Sequence, residues 1–85
     1  VVASEVRAQT RLGEALERFR EARRHDPMVR GAALGEAWAL VKLGRGSEAR
    51  PLAEALLSRA PEDVDVVMLA GRLLRLVVLQ QLLVR

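Results

Sequence analysis

The sequence predicts an all-α fold of antiparallel helix pairs stacked side by side, in about five helices. Three observations predict it. The stops His25-Asp26-Pro27 and Arg59-Ala60-Pro61 recur at an interval of about 34 residues, the period of stacked helix–turn–helix units. Ala, Leu, Glu and Arg, all good helix formers, dominate the composition. No alternating Val, Ile or Thr run bounded by hairpin turns suggests a strand.

The first helix is expected over about residues 1–9 and the second from about Leu12 to Arg24. In the second, Leu12, Ala15, Leu16, Phe19 and Ala22 recur at three- and four-residue spacing and form one apolar stripe. Glu14/Arg18 and Glu21/His25 are i,i+4 pairs on its outer face. Arg23, Arg24 and His25 suit the negative end of the helix dipole, and Pro27 stops the helix by disfavouring helical geometry at Asp26. The third helix is read from Val29 to Leu43, with Gly44 as its left-handed exit. Ser47 is the expected N-cap of the fourth, which carries Pro51 in its first turn and ends near Arg59. Glu62 and Asp63 suit the start of the fifth, which runs from about Asp63 to the chain end.

Eighty-five residues make one domain at most. The composition, 51% apolar and 29% charged, is that of a globular chain. The net charge is +3 and the isoelectric point near 11. Lys42 is the only lysine and Tyr and Cys are absent, so that isoelectric point overstates how basic the surface is at neutral pH. Arg18, Arg20, Arg23 and Arg24 are interleaved with Glu14, Glu17 and Glu21, and stacking aromatics are missing, so no nucleic-acid partner is expected. Without cysteine there is no disulfide, thiolate metal site or thiol nucleophile. His25, the one histidine, has no carboxylate cluster beside it and reads as a helix-end cation. Ser4, Ser47 and Ser58 lack a histidine partner, and Gly44-Arg45-Gly46 is a turn rather than a phosphate loop. No catalytic, metal or cofactor site is read. The start carries no basic-then-apolar signal and no initiator Met. A piece of a longer chain is expected, and the Ala/Leu/Arg/Val bias fits a bacterial protein of cytoplasm or periplasm.

Overlaying the two proline-terminated stretches sets Ala15, Phe19, Ala22 and Pro27 on Ala49, Ala53, Leu56 and Pro61. Between residues 30 and 63, Ala37 and Leu40, the corner Gly44, Ala49 and Pro61 complete a pattern of small, large and turn residues. The chain resembles the tetratricopeptide repeat (TPR) family over nearly its whole length. The resemblance implies a right-handed α-solenoid in one domain: a partial unit over 1–29, a complete one over 30–63 and a partial one over 64–85. Val2, Ala3 and Val6 fit the first unit and Val67, Gly71 and Leu74 the third. There are departures. Ala33 stands where the family has Trp and Glu36 where it has Leu; Thr10 and Val78 stand where the turn glycine belongs.

The family implies a protein-interaction module, not an enzyme. Its first helices line a concave groove, whose positions map onto Ser4 and Arg7; Leu34, Trp38, Val41 and Lys42; and Asp65, Met68, Arg72 and Arg75. An apolar strip with a cationic edge suits a protein or peptide partner bearing Leu or Phe and a few acidic residues. Trp38 is either the anchor of that groove or a packing residue between neighbouring helices. The carboxylate clamp of chaperone-binding members is not expected: the chain has no Asn, and Leu34 and Gly35 occupy clamp positions.

The last helix departs from the pattern. Asp65, Arg72 and Arg75 share one face, but Leu76, Val77, Val78, Leu79, Leu82, Leu83 and Val84 surround the axis, and a helix apolar all round is a buried one. It is covered by further chain, pairs with a second copy as a homodimer or swapped assembly through Leu76, Leu79, Leu82 and Leu83, or enters a membrane. Arithmetic weighs against the membrane. Arg72 and Arg75 near the middle of a span of about 19 residues cost about 5–7 kcal/mol, and about a dozen Leu and Val return about 4–7 kcal/mol.

Overall fold

In the computed structural model the chain forms four helices in the order α1 (Val2–His25), α2 (Arg30–Lys42), α3 (Gly46–Arg59) and α4 (Val64–Val84). The structure describes residues 2–84. Val1 and Arg85, and the side chains of Val2, Val77, Gln80 and Val84, lie outside the description, and with them what the sequence predicts for Val2, Val77 and Val84. No strand occurs among the described residues. The fold is an all-α solenoid of antiparallel helix pairs, 37 × 33 × 18 Å, about two helix layers thick.

Four helices replace the expected five because α1 runs straight through Thr10. The Thr10 hydroxyl donates to the Val6 carbonyl at 2.8 Å, inside the helix, and Gly13 does not take a positive φ. The corner after α2 shows what is missing. Gly44 has φ +78°; its N–H donates to the Val41 carbonyl at 3.1 Å, and the Arg45 N–H to that of Leu40 at 2.8 Å. This is a complete Schellman closure, which depends on a residue tolerant of left-handed backbone. Thr10 and Val78, one period before and one period after Gly44, are β-branched residues for which that conformation is costly. Both helices therefore continue.

The start of α3 also differs from expectation. The helix begins at Gly46 with Arg45 at its N-cap and no side-chain capping bond. Ser47 lies inside the first turn, and Arg45 instead forms an ion pair with Glu48. Pro51 consequently falls in the second turn. It is exposed, as is Ser47, whose carbonyl loses its helical donor.

The core joins Leu16 of α1, Ala33, Ala37, Ala39 and Leu40 of α2, Ala49, Leu52, Ala53 and Leu56 of α3, and Val66, Leu69 and Leu73 of α4. Small residues on α2 and α3 let these two helices approach closely. α2 packs on α1, α3 and α4, whereas among the described residues α1 packs on α2 and reaches α3 through the Arg20–Glu48 ion pair. The stripe expected on α1 is only partly covered: Leu16 is buried, Leu12, Ala15 and Phe19 half-buried, and Ala22 exposed. Gly35 admits the Phe19 ring, since a Cβ there would lie within 2.7 Å of its Cδ1, Cε1 and Cζ.

Candidate functional site

The residues read as a groove lie on three helices. Leu34, Trp38, Val41 and Lys42 follow i, i+4, i+7, i+8 spacing, which is one face of α2. Leu34, Trp38 and Val41 are half-buried and pack against the core, and Lys42 is exposed. Met68, Arg72 and Arg75 share one exposed face of α4, and α4 packs against α2. The α2 and α4 members thus belong to neighbouring helices. Ser4 and Arg7 lie in the N-terminal half of α1, which is continuous with the rest of that helix, and every residue from Ala3 to Arg11 is exposed.

Asp65 has a different role from its helix neighbours. Arg30, opening α2, donates to both Asp63 and Asp65 at the start of α4, at 2.8 Å to Asp63 Oδ1 and 3.0 Å to Asp65 Oδ2. Asp63 Oδ1 also accepts the Asp65 N–H at 3.0 Å. The hydrogen bond from Arg30 holds the Asp63 carboxyl below its ordinary value, and the two carboxylates push the Arg30 guanidinium up. Arg59 adds a second tie, donating to the Met28 carbonyl at 3.2 Å. The acidic cluster reads in sequence as a response to the helix dipole alone; only the fold brings Arg30 to it.

Arg20, Arg23 and Arg24 of α1 are engaged with carboxylates. Glu36 is 3% exposed. Arg23 Nε stands 2.9 Å from its Oε1 and Arg20 Nε 3.5 Å from its Oε2. The Arg23 contact is an ion pair without hydrogen-bond direction, so Oε1 accepts no directed bond. Arg20 also reaches Glu17 and Glu48, Arg24 pairs with Glu21, and His25 Nε2 is 3.4 Å from Glu21 Oε1. Among the described residues no group of His, Cys, Asp and Glu could hold a metal ion.

Two depressions lie along the α3–α4 pairing, and Trp38 lines neither. One, about 170 Å³, is floored by Ala53 and Ala70 and walled by Leu57, Leu73 and Leu74, with Arg50 and Glu54 at its rim. The other, about 240 Å³, lies among Val41, Gly44, Gly46, Ser47, Arg50, Leu73 and Leu76. Of the residues read as sites from sequence, only Val41 and Leu76 line either depression.

Among the described residues nothing covers the outward side of α4. Leu74 is 66% exposed, Leu79 49%, Leu82 61% and Leu83 85%, with Leu76 and Val78 also exposed. By length and composition Val64–Leu83 is apolar enough to cross a membrane, at mean hydropathy 1.7. Its first half is already committed to the core through Val66, Leu69 and Leu73.

A family model for the tetratricopeptide repeat matches residues 6–73. No curated protein and no solved structure matches the chain.

Proposed function

The chain belongs to the tetratricopeptide-repeat family, whose members are in general protein–protein interaction modules, and from that premise we propose that it holds a peptide or partner helix on the face shared by α2 and α4, as a scaffold or adaptor. The strip of Leu34, Trp38 and Val41 carries the reading: these side chains rest on the core and remain half open to solvent. Exposed Met68 extends the apolar surface onto α4, and Lys42, Arg72 and Arg75 give it a cationic edge. The fitting partner is an amphipathic segment with Leu or Phe on one side and a few Asp or Glu on the other.

Trp38 is the only tryptophan, so its emission reports directly on this face. Peptides of that chemistry selected by display should quench or blue-shift it. Truncating a central Trp costs about 2 kcal/mol or more, roughly 30-fold in affinity. Unchanged affinity of the selected peptides for Trp38→Ala removes the assignment.

A second reading is favoured by the exposed leucines of α4: the chain associates with itself through this helix, using Leu76, Leu79, Leu82 and Leu83. Light scattering decides it, and a monomer at high concentration rejects it.

A further inference from the structure

We infer that the uncovered face of α4 receives a helix from a second copy of this chain, and that the helix is the C-terminal half of α1. The inference rests on the self-association reading and on the repeat register, and it names the occupant.

The register compares α4 with α2. Ala33, Ala37 and Leu40 are 6%, 0% and 1% exposed in the α2–α3 pair. Val67, Gly71 and Leu74 hold the same positions one period later. Val67 is 47% and Leu74 66% exposed, and among the described residues no helix lies over them.

Gly71 is the second observation. Glycine inside a helix is destabilising relative to alanine, a burden offset where a neighbour must come close. Gly35 has that neighbour in the Phe19 ring, whereas a Cβ on Gly71 would meet nothing within 4 Å. Among the described residues the close approach that Gly71 permits is not used within one chain.

α1 supplies the complement. Ala15, Phe19 and Ala22 fall on Ala49, Ala53 and Leu56 of α3, which are 0%, 5% and 3% exposed. In α1 the first two are half-buried and Ala22 is exposed, because the helix does not turn at Thr10 and fold back over them. Among the described residues, then, α4 is a first helix with no second packed on it, and the C-terminal half of α1 is a second helix with no first packed on it.

Docked as α3 docks on α2, antiparallel about Gly44, the two surfaces alternate in size. Leu74 comes level with Ala15, Gly71 with Phe19 and Val67 with Ala22. Both helices run straight past the point where α2 and α3 turn, so Val78 then meets Leu12 and Leu82 meets Ala8. The seam from Val67 to Leu82 is roughly 23 Å long at about 1.5 Å per residue and about 10 Å wide. The helix pair alone buries on the order of 500 Å² in total, below the size of a standard stable interface. The association is therefore concentration-dependent, and its two different surfaces join copies head to tail.

The chain has no cysteine, so Leu74→Cys and Ala15→Cys can be made singly and mixed under oxidation. Within one chain α1 and α4 do not pack together among the described residues, so a disulfide between positions 74 and 15 reports two copies. The mixture should form it, and Gly71→Leu should lower its yield at least tenfold while the circular dichroism and melting temperature hold or rise. A 74-to-74 disulfide without the 74-to-15 bond overturns α1 as the occupant and leaves self-association through α4 standing. A monomer by sedimentation at millimolar concentration overturns both.

Discussion

The Arg23 guanidinium on α1 stands 2.9 Å from Glu36 Oε1 on α2, against a carboxylate that is 3% exposed. With Arg20 on the other oxygen, an ionic clamp sits at the position where the family places leucine. Both arginines are partly open to solvent, at 30% and 39% of the side chain. Glu36 alone is confined.

That asymmetry predicts opposite outcomes for the two partners. Glu36→Leu releases two arginines that can turn to water and places an apolar group in an apolar site. Stability should be unchanged or higher, by about 1–2 kcal/mol. Arg23→Ala leaves Glu36 buried with a weaker partner and should cost about 1–3 kcal/mol. Urea denaturation of the two variants measures the difference, and a large loss in Glu36→Leu contradicts the account.

Two glycines should respond differently to alanine. At Gly35 a Cβ strikes the Phe19 ring, and overpacking of this kind costs about 1–3 kcal/mol. Phe19→Leu should recover most of that loss in a double-mutant cycle. At Gly71 the space is open, so Gly71→Ala should stabilise the dilute monomer by about 0.5–1 kcal/mol through helix propensity. Thermal melts at low protein concentration separate the two cases.

Gly44 is the one residue with positive φ among those described. Gly44→Ala should destabilise by about 1–2 kcal/mol from backbone conformation alone. The space around its Cβ is open, so no repacking elsewhere should relieve the loss. A suppressor screen that restored stability through core residues would contradict this.

Acid should weaken the fold through its carboxylates. Arg30 hydrogen-bonds Asp63, Arg45 hydrogen-bonds Glu48 and Arg24 hydrogen-bonds Glu21, and each carboxyl is held below its ordinary value. A folded value below the unfolded one means that the stabilisation is fully present above about pH 4 and lost as pH falls through the folded values. The melting temperature should be flat from neutral pH to about 5 and drop below about 4. Asp63→Asn should flatten part of that acid limb, and a wild-type slope in this variant would remove Arg30–Asp63 from the explanation.

Much of the architecture is legible in the chain. Pro27, Pro61 and Gly44 act on backbone geometry within a few residues, so the helix ends near them can be read locally. Ala37, Leu40 and Ala49 repeat at intervals that only close helix packing demands, and all three are buried. The fusion of the first two expected helices into α1 is not legible locally: Gly13 could take a left-handed turn but does not. Leu34, Trp38 and Val41 can be placed on a common face from spacing alone. Arg30 cannot be assigned to Asp63, nor Arg23 to Glu36, because each pair joins two different helices and meets only when those helices are set side by side.

The sequence by itself determined that the chain is helical, the period of its stops and the apolar stripes of α1 and α2. The tertiary structure decided which apolar sides find a cover. A side chain's preference to leave water is a property of the residue, whereas its burial depends on a second surface at the right distance. The face of α2 around Ala37 has that surface in α3. The equivalent face of α4 around Gly71 has none among the described residues.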